Sequence, residues 1–268
     1  MTHPEARPPL FDASVPQSAR VWNYWSGGKD YYPADKAVAD RILETNPHVL
    51  EIARAAREFL RRAITRLVEE YGVRQFLGVG SELPTAQDIH VMAQSAAPES
   101  RVVYVDDDPL VLAHARALLV GTAEGATGYV DADIRDTAKI VREAARTLDL
   151  SRPVAVVLAG VLAHVSDDGE ARDLVSGLVE ALAPGSFLVV SDDTDVIHHE
   201  EMDGMVRQWN ASGGRPRVNR TPERIAAFFE GLEMLEPGVV SCPRWRPDPT
   251  EVGSVQDVDE YCGVARKP

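Results

Sequence analysis

Residues Arg74-Gln-Phe-Leu-Gly-Val-Gly-Ser-Glu-Leu-Pro-Thr85 decide how the rest of the chain reads. An apolar run over residues 73–79 predicts a β-strand, and Gly78 and Gly80 predict a tight turn. Thr85-Ala-Gln-Asp88 has the form of a variant capping box, so a helix is predicted from Thr85 to Ala97. A strand, a glycine turn and a helix N-terminus together form a cradle. Glycine lets a ligand approach the backbone, and the first helical turn presents N–H groups that lack partners of their own. Only two positions of the turn are glycine, and Glu82 stands where a third small residue is expected.

Outward from this turn the chain alternates strands with helices. Residues 101–106 form the predicted second strand, which ends in Asp106, Asp107 and Asp108 before Pro109. Asp108 reads as the N-cap of a helix over 110–120, leaving Asp106 and Asp107 at the strand's carboxyl end with no structural task. A third strand over 127–131 runs into Asp131-Ala-Asp-Ile-Arg135, and a helix follows to residue 148. Residues 154–160 are continuously apolar, as in a central parallel strand. Asp167 or Asp168 caps a helix over 170–182, and Pro184-Gly185 leads into a strand over 186–191. Residues 192–220 read as an irregular helix and a flexible loop. Thr221-Pro222 opens a last helix, and strands near 234–241 and 261–266 close the chain. The pattern predicts a doubly wound, Rossmann-like α/β sheet, mostly parallel with an antiparallel C-terminal strand. Its ligand is expected at the carboxyl ends of the strands.

Upstream, residues 1–16 read as a mobile, proline-rich tail, 17–72 as an N-terminal helical arm or lid, and 73–268 as the ligand-binding unit. The aromatic segment from Ser18 to Pro33 reads equally as a structured loop or lid lying over a ligand and as an anchor of the arm to the domain through Trp22, Tyr24 and Trp25. A helix follows over 34–45. Asn46, with Pro47 at the first position, is expected to cap a second, amphipathic helix that ends at Gly72.

The bulk numbers set bounds on these readings. With 268 residues, 44% hydrophobic, the chain can bury the core of one α/β domain plus an N-terminal addition. Its 42 acids against 28 bases give a net charge of −14, which repels polyphosphate. General nucleic-acid binding is therefore disfavoured and a small-molecule partner is expected. Two cysteines cannot build a disulfide framework and read as incidental residues of a reducing compartment. The N-terminus lacks an apolar signal region, and the longest apolar run, residues 154–163, is too short to span a bilayer. The expectation is a soluble, cytoplasmic, bacterial protein without membrane association.

The acids along the rim point to a nucleoside. Asp106 follows the glycine turn at about the distance of a ribose-binding acid, where a carboxylate accepts from both hydroxyls. Asp133 is placed to accept from an adenine amino group, with Ile134 packing on the ring. NAD and S-adenosylmethionine (SAM) share this geometry. Leu83 stands where a dinucleotide fingerprint wants its third glycine, and the C-terminal strand pair suits a SAM-methyltransferase sheet, so SAM is favoured.

With these residues in place, the chain resembles a bacterial family of SAM-dependent methyltransferases of the class I superfamily, from Ala19 onward. The most specific match is Ala19-Arg-Val-Trp-Asn-Tyr-Trp-Ser-Gly-Gly-Lys-Asp30. It is supported by Arg74-Gln-Phe-Leu77 with Leu83-Pro-Thr85, by Asp108-Pro109, by Asp131-Ala-Asp-Ile-Arg-Asp136, by Leu182-Ala-Pro-Gly-Ser186 and by the final Gly263-Val-Ala-Arg-Lys-Pro268. The resemblance implies an N-terminal arm folding over SAM, with Tyr24, Gly28 and Lys29 at the methionine end. The expected cofactor contacts are then Tyr24, Gly28, Lys29, Gly78, Gly80, Ser81, Asp106, Asp107, Asp133, Ile134 and Ala159.

Two departures stand out. The family reads Asp-Ile-Gly-Thr-Gly where this chain has Gly78-Val-Gly-Ser-Glu82. It also places a histidine one position before His164. The altered turn motivates an alternative, a degenerate member that binds SAM or its product without methyl transfer. In-line transfer from SAM needs alignment more than a base. The rim candidates for a base are His164, Asp192, Asp193, His198 and His199.

Overall fold

The computed structural model describes residues 12–80, 88–118, 121–248 and 255–268, with the side chains of 114–118 left aside. Three helices come first: α1 (Ser18–Trp25), α2 (Pro33–Thr45) and α3 (Val49–Glu69). The aromatic segment is thus a helix, not a loop. Val21 and Trp25, one turn apart, are buried, and they pack with Val38, Ile42, Val49 and Ile52 in a small core of their own. Asn46 does not cap α3. It ends α2, its side-chain oxygen accepts from the His48 N–H at 3.1 Å, and α3 begins one residue later. Gly72 adopts φ +66° and closes α3 as expected, with the Val73 N–H reaching back to the Leu67 carbonyl at 2.9 Å.

The sheet follows. β1 (Gln75–Val79) leads to α4 (Ile89–Ala96), β2 (Arg101–Asp106) to α5 (Pro109–Leu118), β3 (Ala126–Asp131) to α6 (Thr137–Ala144), and β4 (Ala155–Ala159) to α7 (Asp168–Glu180). Then come β5 (Phe187–Asp193), α8 (His199–Asn210), α9 (Pro222–Ala226), β6 (Glu233–Met234), β7 (Val240–Ser241) and β8 (Glu260–Arg266). The strand order is β3-β2-β1-β4-β5-β8-β6, with β7 also paired to β8. β1 to β5 run parallel, and β8 is inserted antiparallel between β5 and β6.

Alternate residues of the strands feed two cores. Leu77, Val79, Val103 and Val105 face α6, α7 and α9, while Phe76, Val102, Val157 and Val189 face α3 and α4. Cys242 and Cys262 are buried free thiols in the second core. Among the described residues, no helix is long and apolar enough to cross a membrane.

Caps read from sequence mark several helix starts. Asp108 Oδ1 accepts from the Leu110 N–H at 2.8 Å, Asp167 from Glu170 at 2.8 Å and Thr221 from Arg224 at 3.4 Å. The start of α4 differs: Ile89 is its first residue and Asp88 its N-cap, which displaces Asp88 from the third position of a Thr85 capping box. Thr85 itself lies outside the described residues.

The stretch 192–220 departs most from expectation. Asp192 and Asp193 extend β5, α8 is a regular helix whose Met202, Met205 and Trp209 join the α1–α2 core, and the following loop is tied down. Arg217 N–H donates to Asn210 at 2.9 Å, Val218 N–H to the Ala163 carbonyl at 2.9 Å and Arg220 N–H to the Asp193 carbonyl at 3.0 Å.

Candidate functional site

A cleft opens at the carboxyl edge of β1, β2 and β4, as doubly wound sheets dictate. Its floor is Gly78, Val79 and Gly80 with Ala159 and Gly160, and its flank holds Asp106, Asp107, Asp108, Ala132 and Ile134. The helical arm supplies the opposite wall: Gln17, Ser18, Ala19 and Trp22 from the start of α1, and Ala53, Ala56, Arg57 and Leu60 from α3. His164, Arg215 and Glu260 complete it.

The turn's glycines have separate reasons. Gly80 adopts φ +74°, and a Cβ there would lie 2.4 Å from Val161 Cγ2. At Gly78 the obstacle is Ile89, whose Cδ1 would be 2.8 Å from an added Cβ. The turn is locked to β2 by the Gly80 N–H, which donates to the Val105 carbonyl at 2.9 Å. Ser81, Glu82 and Leu83 lie outside the described residues.

Asp106 ends β2 half-buried, with Oδ1 accepting from the Asp108 N–H at 2.8 Å. Burial pushes its carboxyl up to about 7, and the neighbouring Asp107 and Asp108 charges add to the rise. Asp107 and Asp133 are bridged by Arg215, whose Nη2 lies 3.3 Å from Asp133 Oδ2. The other oxygen of Asp133 accepts from the Arg135 N–H at 2.9 Å. Asp108 is held through Arg20, a buried guanidinium 3.5 Å from Asp108 Oδ2 and 2.9 Å from the buried Asp35. Arg20 thereby fastens α1 and α2 to the end of β2.

Tyr24, Gly28 and Lys29 do not line the cleft, and neither does Asp133, which reaches it only through Arg215. The Tyr24 hydroxyl donates to Asp40 at 2.7 Å and its ring packs edge-on against Tyr31. A Cβ at Gly28 would run into the Asn23 side chain, so its glycine answers to packing, and Lys29 is exposed. The arm's contribution to the cleft comes one to two turns earlier, from the start of α1.

Of the five rim candidates for a base, only His164 lines the cleft. Asp192 is buried against Arg220 at 2.9 Å, and Asp193 is buried against Arg217. His198 is bound to the buried Asp259 at 2.9 Å and stacks on His48, while His199 is exposed and paired with Asp195 at 2.7 Å. His164 Nδ1 faces two acceptors, the carbonyls of Arg215 and Pro216, each at 3.2 Å. Nδ1 therefore carries the proton and Nε2 the lone pair, and Nε2 is buried with no partner among the described residues. Burial and the nearby Arg217 hold the ring's pKa down at about 4, so it is neutral at pH 7.

Sequence reasoning missed Arg20, Trp22, Arg57, Arg215 and Glu260. Arg20 and Trp22 lie inside the most specific matching segment, a signal that pointed to the right stretch but not to these side chains. Arg215 sits in a loop read as flexible, and no local pattern marks it.

The sheet order, the inserted antiparallel strand, and the cleft over a glycine turn with an acid at the end of the second strand define a class I methyltransferase fold. The chain belongs to the S-adenosyl methyltransferase family, which it matches over residues 4–268. A DUF574 family protein from Streptomyces avermitilis is 42% identical, with a TM-score of 0.91 over 96% of this chain and 99% of that one. A candidate methyltransferase from Thermobifida fusca is 37% identical, with a TM-score of 0.85 over 98% and 99%. The N-methyltransferase NodS from Bradyrhizobium japonicum, solved with S-adenosyl-L-homocysteine (SAH), is 17% identical with a TM-score of 0.50 over 93% and 99%, a likeness of fold. No curated protein matches the chain.

The cofactor is SAM, and the cleft fits it: a glycine turn with no room for side chains, a half-buried acid and an apolar wall at Ile134. Arg215 also lines the cleft, its guanidinium paired with Asp107 and Asp133.

Proposed function

We propose that this SAM-dependent methyltransferase acts on a small-molecule acceptor, and that Asp106 receives the ribose hydroxyls. In this reading Asp107, Asp133 and Ile134 flank the base, while Gly78, Gly80 and Ala159 border the amino-acid end. The observation that carries it is the convergence of Gly80, Asp106, Ile134 and Ala159, from four separate strand ends, on one cleft. The net charge of −14 supports a small molecule over nucleic acid as the acceptor.

Bound SAM supplies an electrophilic methyl on a sulfonium centre. The chain's own residues orient and shield. Acids outnumber bases along the cleft, with Asp88, Asp106, Asp107, Asp108 and Glu260 against Arg57 and Arg215, which favours a cationic ligand. Trp22 and Leu60 on the arm exclude water from the side opposite the sheet. His164, a residue of the cleft lining, keeps its proton on Nδ1 and leaves the buried Nε2 as a lone-pair acceptor.

Calorimetric titration with SAM, SAH and NAD tests the reading. SAM and SAH are expected to bind and NAD is not, and failure of both sulfur ligands would overturn it.

A further inference from the structure

We propose that Arg215 sets how strictly the cleft reads the 6-position of a purine. Its guanidinium bridges two carboxylates, Asp107, which lines the cleft, and Asp133, which the SAM reading places beside the base. This inference rests on the SAM reading above. β2 and β3 are neighbours, with Asp106 opposite Asp131, so Asp107 and Asp133 project from adjacent strand ends and Arg215 spans the gap between them.

The chemistry follows from donor and acceptor counts. A 6-amino group donates and needs an acceptor. Asp133 is the acid the SAM reading assigns to receive it; its Oδ1 accepts from the Arg135 N–H and its Oδ2 from Arg215, so a 6-amino donor must share an oxygen with one of them. A 6-aminopurine therefore competes with the Arg215 guanidinium for Asp133. A 6-oxo group accepts, and the guanidinium offers it N–H donors in place. Arg215 thus penalises the amino base, assists the oxo base and narrows the discrimination between them.

The clasp is held from behind rather than lying loose. The Arg215 carbonyl accepts from Trp209 Nε1 at 2.6 Å and from His164 Nδ1 at 3.2 Å. Trp209 is buried in the arm's core, so the backbone at 215 is anchored while the side chain, 37% exposed, is held only by the two carboxylates it bridges. An alanine at this position keeps the carbonyl and both of its bonds, so Arg215→Ala removes the clasp and leaves the loop anchored.

The test compares SAH with S-inosylhomocysteine, its 6-oxo analogue, by calorimetry on wild-type and Arg215→Ala protein. A partly exposed ion pair of this kind supports a change of roughly three- to fivefold. SAH is expected to bind tighter to the variant by about that factor, and S-inosylhomocysteine no tighter, so the SAH preference rises. Raising NaCl should also improve SAH affinity for the wild type relative to the variant, because salt screens the clasp. SAH binding to both proteins with an unchanged preference between the two ligands overturns the role of Arg215 and leaves the cofactor reading standing. No SAH binding to either protein overturns the cofactor reading and this inference with it.

Discussion

Asp106→Asn should make the protein more stable and a poorer binder, with both effects depending on pH. Asparagine keeps an Oδ1 acceptor for the Asp108 N–H, a bond of 2.8 Å, and removes only the charge. The wild-type carboxyl is raised from 3.8 to about 7, chiefly by burial. The folded protein therefore holds this proton more tightly than the unfolded chain does. Stability contributed by the neutral form is complete below about pH 4 and is lost as pH rises through about 7. At about 1.4 kcal/mol per pH unit the full shift corresponds to about 4 kcal/mol. The carboxyl is only half-buried, and solvent screening at the cleft reduces the expected cost to about 1–3 kcal/mol.

Urea unfolding without ligand should then show the Asn variant and wild type equal near pH 3.5 and the variant more stable by about 1–3 kcal/mol at pH 8. Calorimetry with SAH should show the opposite order. Loss of charge-assisted bonds to the ribose should weaken binding by about 1.5–3 kcal/mol, or roughly 10- to 150-fold. Wild-type affinity should climb between pH 5 and 8 as Asp106 ionises, and the variant's should stay flat. A variant that keeps the wild-type pH slope of stability would refute the burial argument. Unchanged SAH affinity would refute the placement of the ribose.

Three further outcomes are expected. Arg20→Met leaves Asp35 and Asp108 without their buried cation and should cost about 3–5 kcal/mol in urea unfolding; a loss below about 1 kcal/mol would show that Arg20 does not fasten the arm. Gly80→Ala combines φ +74° with a 2.4 Å clash on Val161, so adding Val161→Ala should restore only part of the lost thermal stability, and full restoration would mean the backbone angle carries no strain. In ¹⁵N-histidine NMR, His164 should be a neutral Nδ1–H tautomer that stays unprotonated to below pH 5, because burial and Arg217 hold it near 4; a midpoint near 6.5 would contradict its packing.

Much of the architecture was legible because parallel strands buried on both faces are continuous apolar runs, and their ends carry turn and cap residues. β2 was read to the residue, and Asp108 was set aside as a cap, which singled out Asp106. The same logic failed where polar residues are buried by partners far along the chain. Asp192 and Asp193 read as the start of an irregular helix, yet they continue β5, because Arg220 and Arg217 neutralise them from 28 and 24 residues away. The segment 18–25 read as a loop, since aromatics beside Gly27-Gly28 mask a helical stripe whose partners lie on α2, α3 and α8.

By itself, the amino-acid sequence determined the order of strands and helices from β1 onward, the glycine turn, the acid at the end of β2 and the family. Each of these rests on local pattern, and local pattern is written in neighbouring residues. Only the tertiary structure decided what surrounds them. The turn's glycines are required by Val161 and Ile89, the arm reaches the cleft through Ser18, Ala19 and Trp22, and Arg215 closes across Asp107 and Asp133 from more than 80 positions away. Side-chain contacts between distant segments depend on the chain's path in space, and no period or spacing in the sequence encodes them.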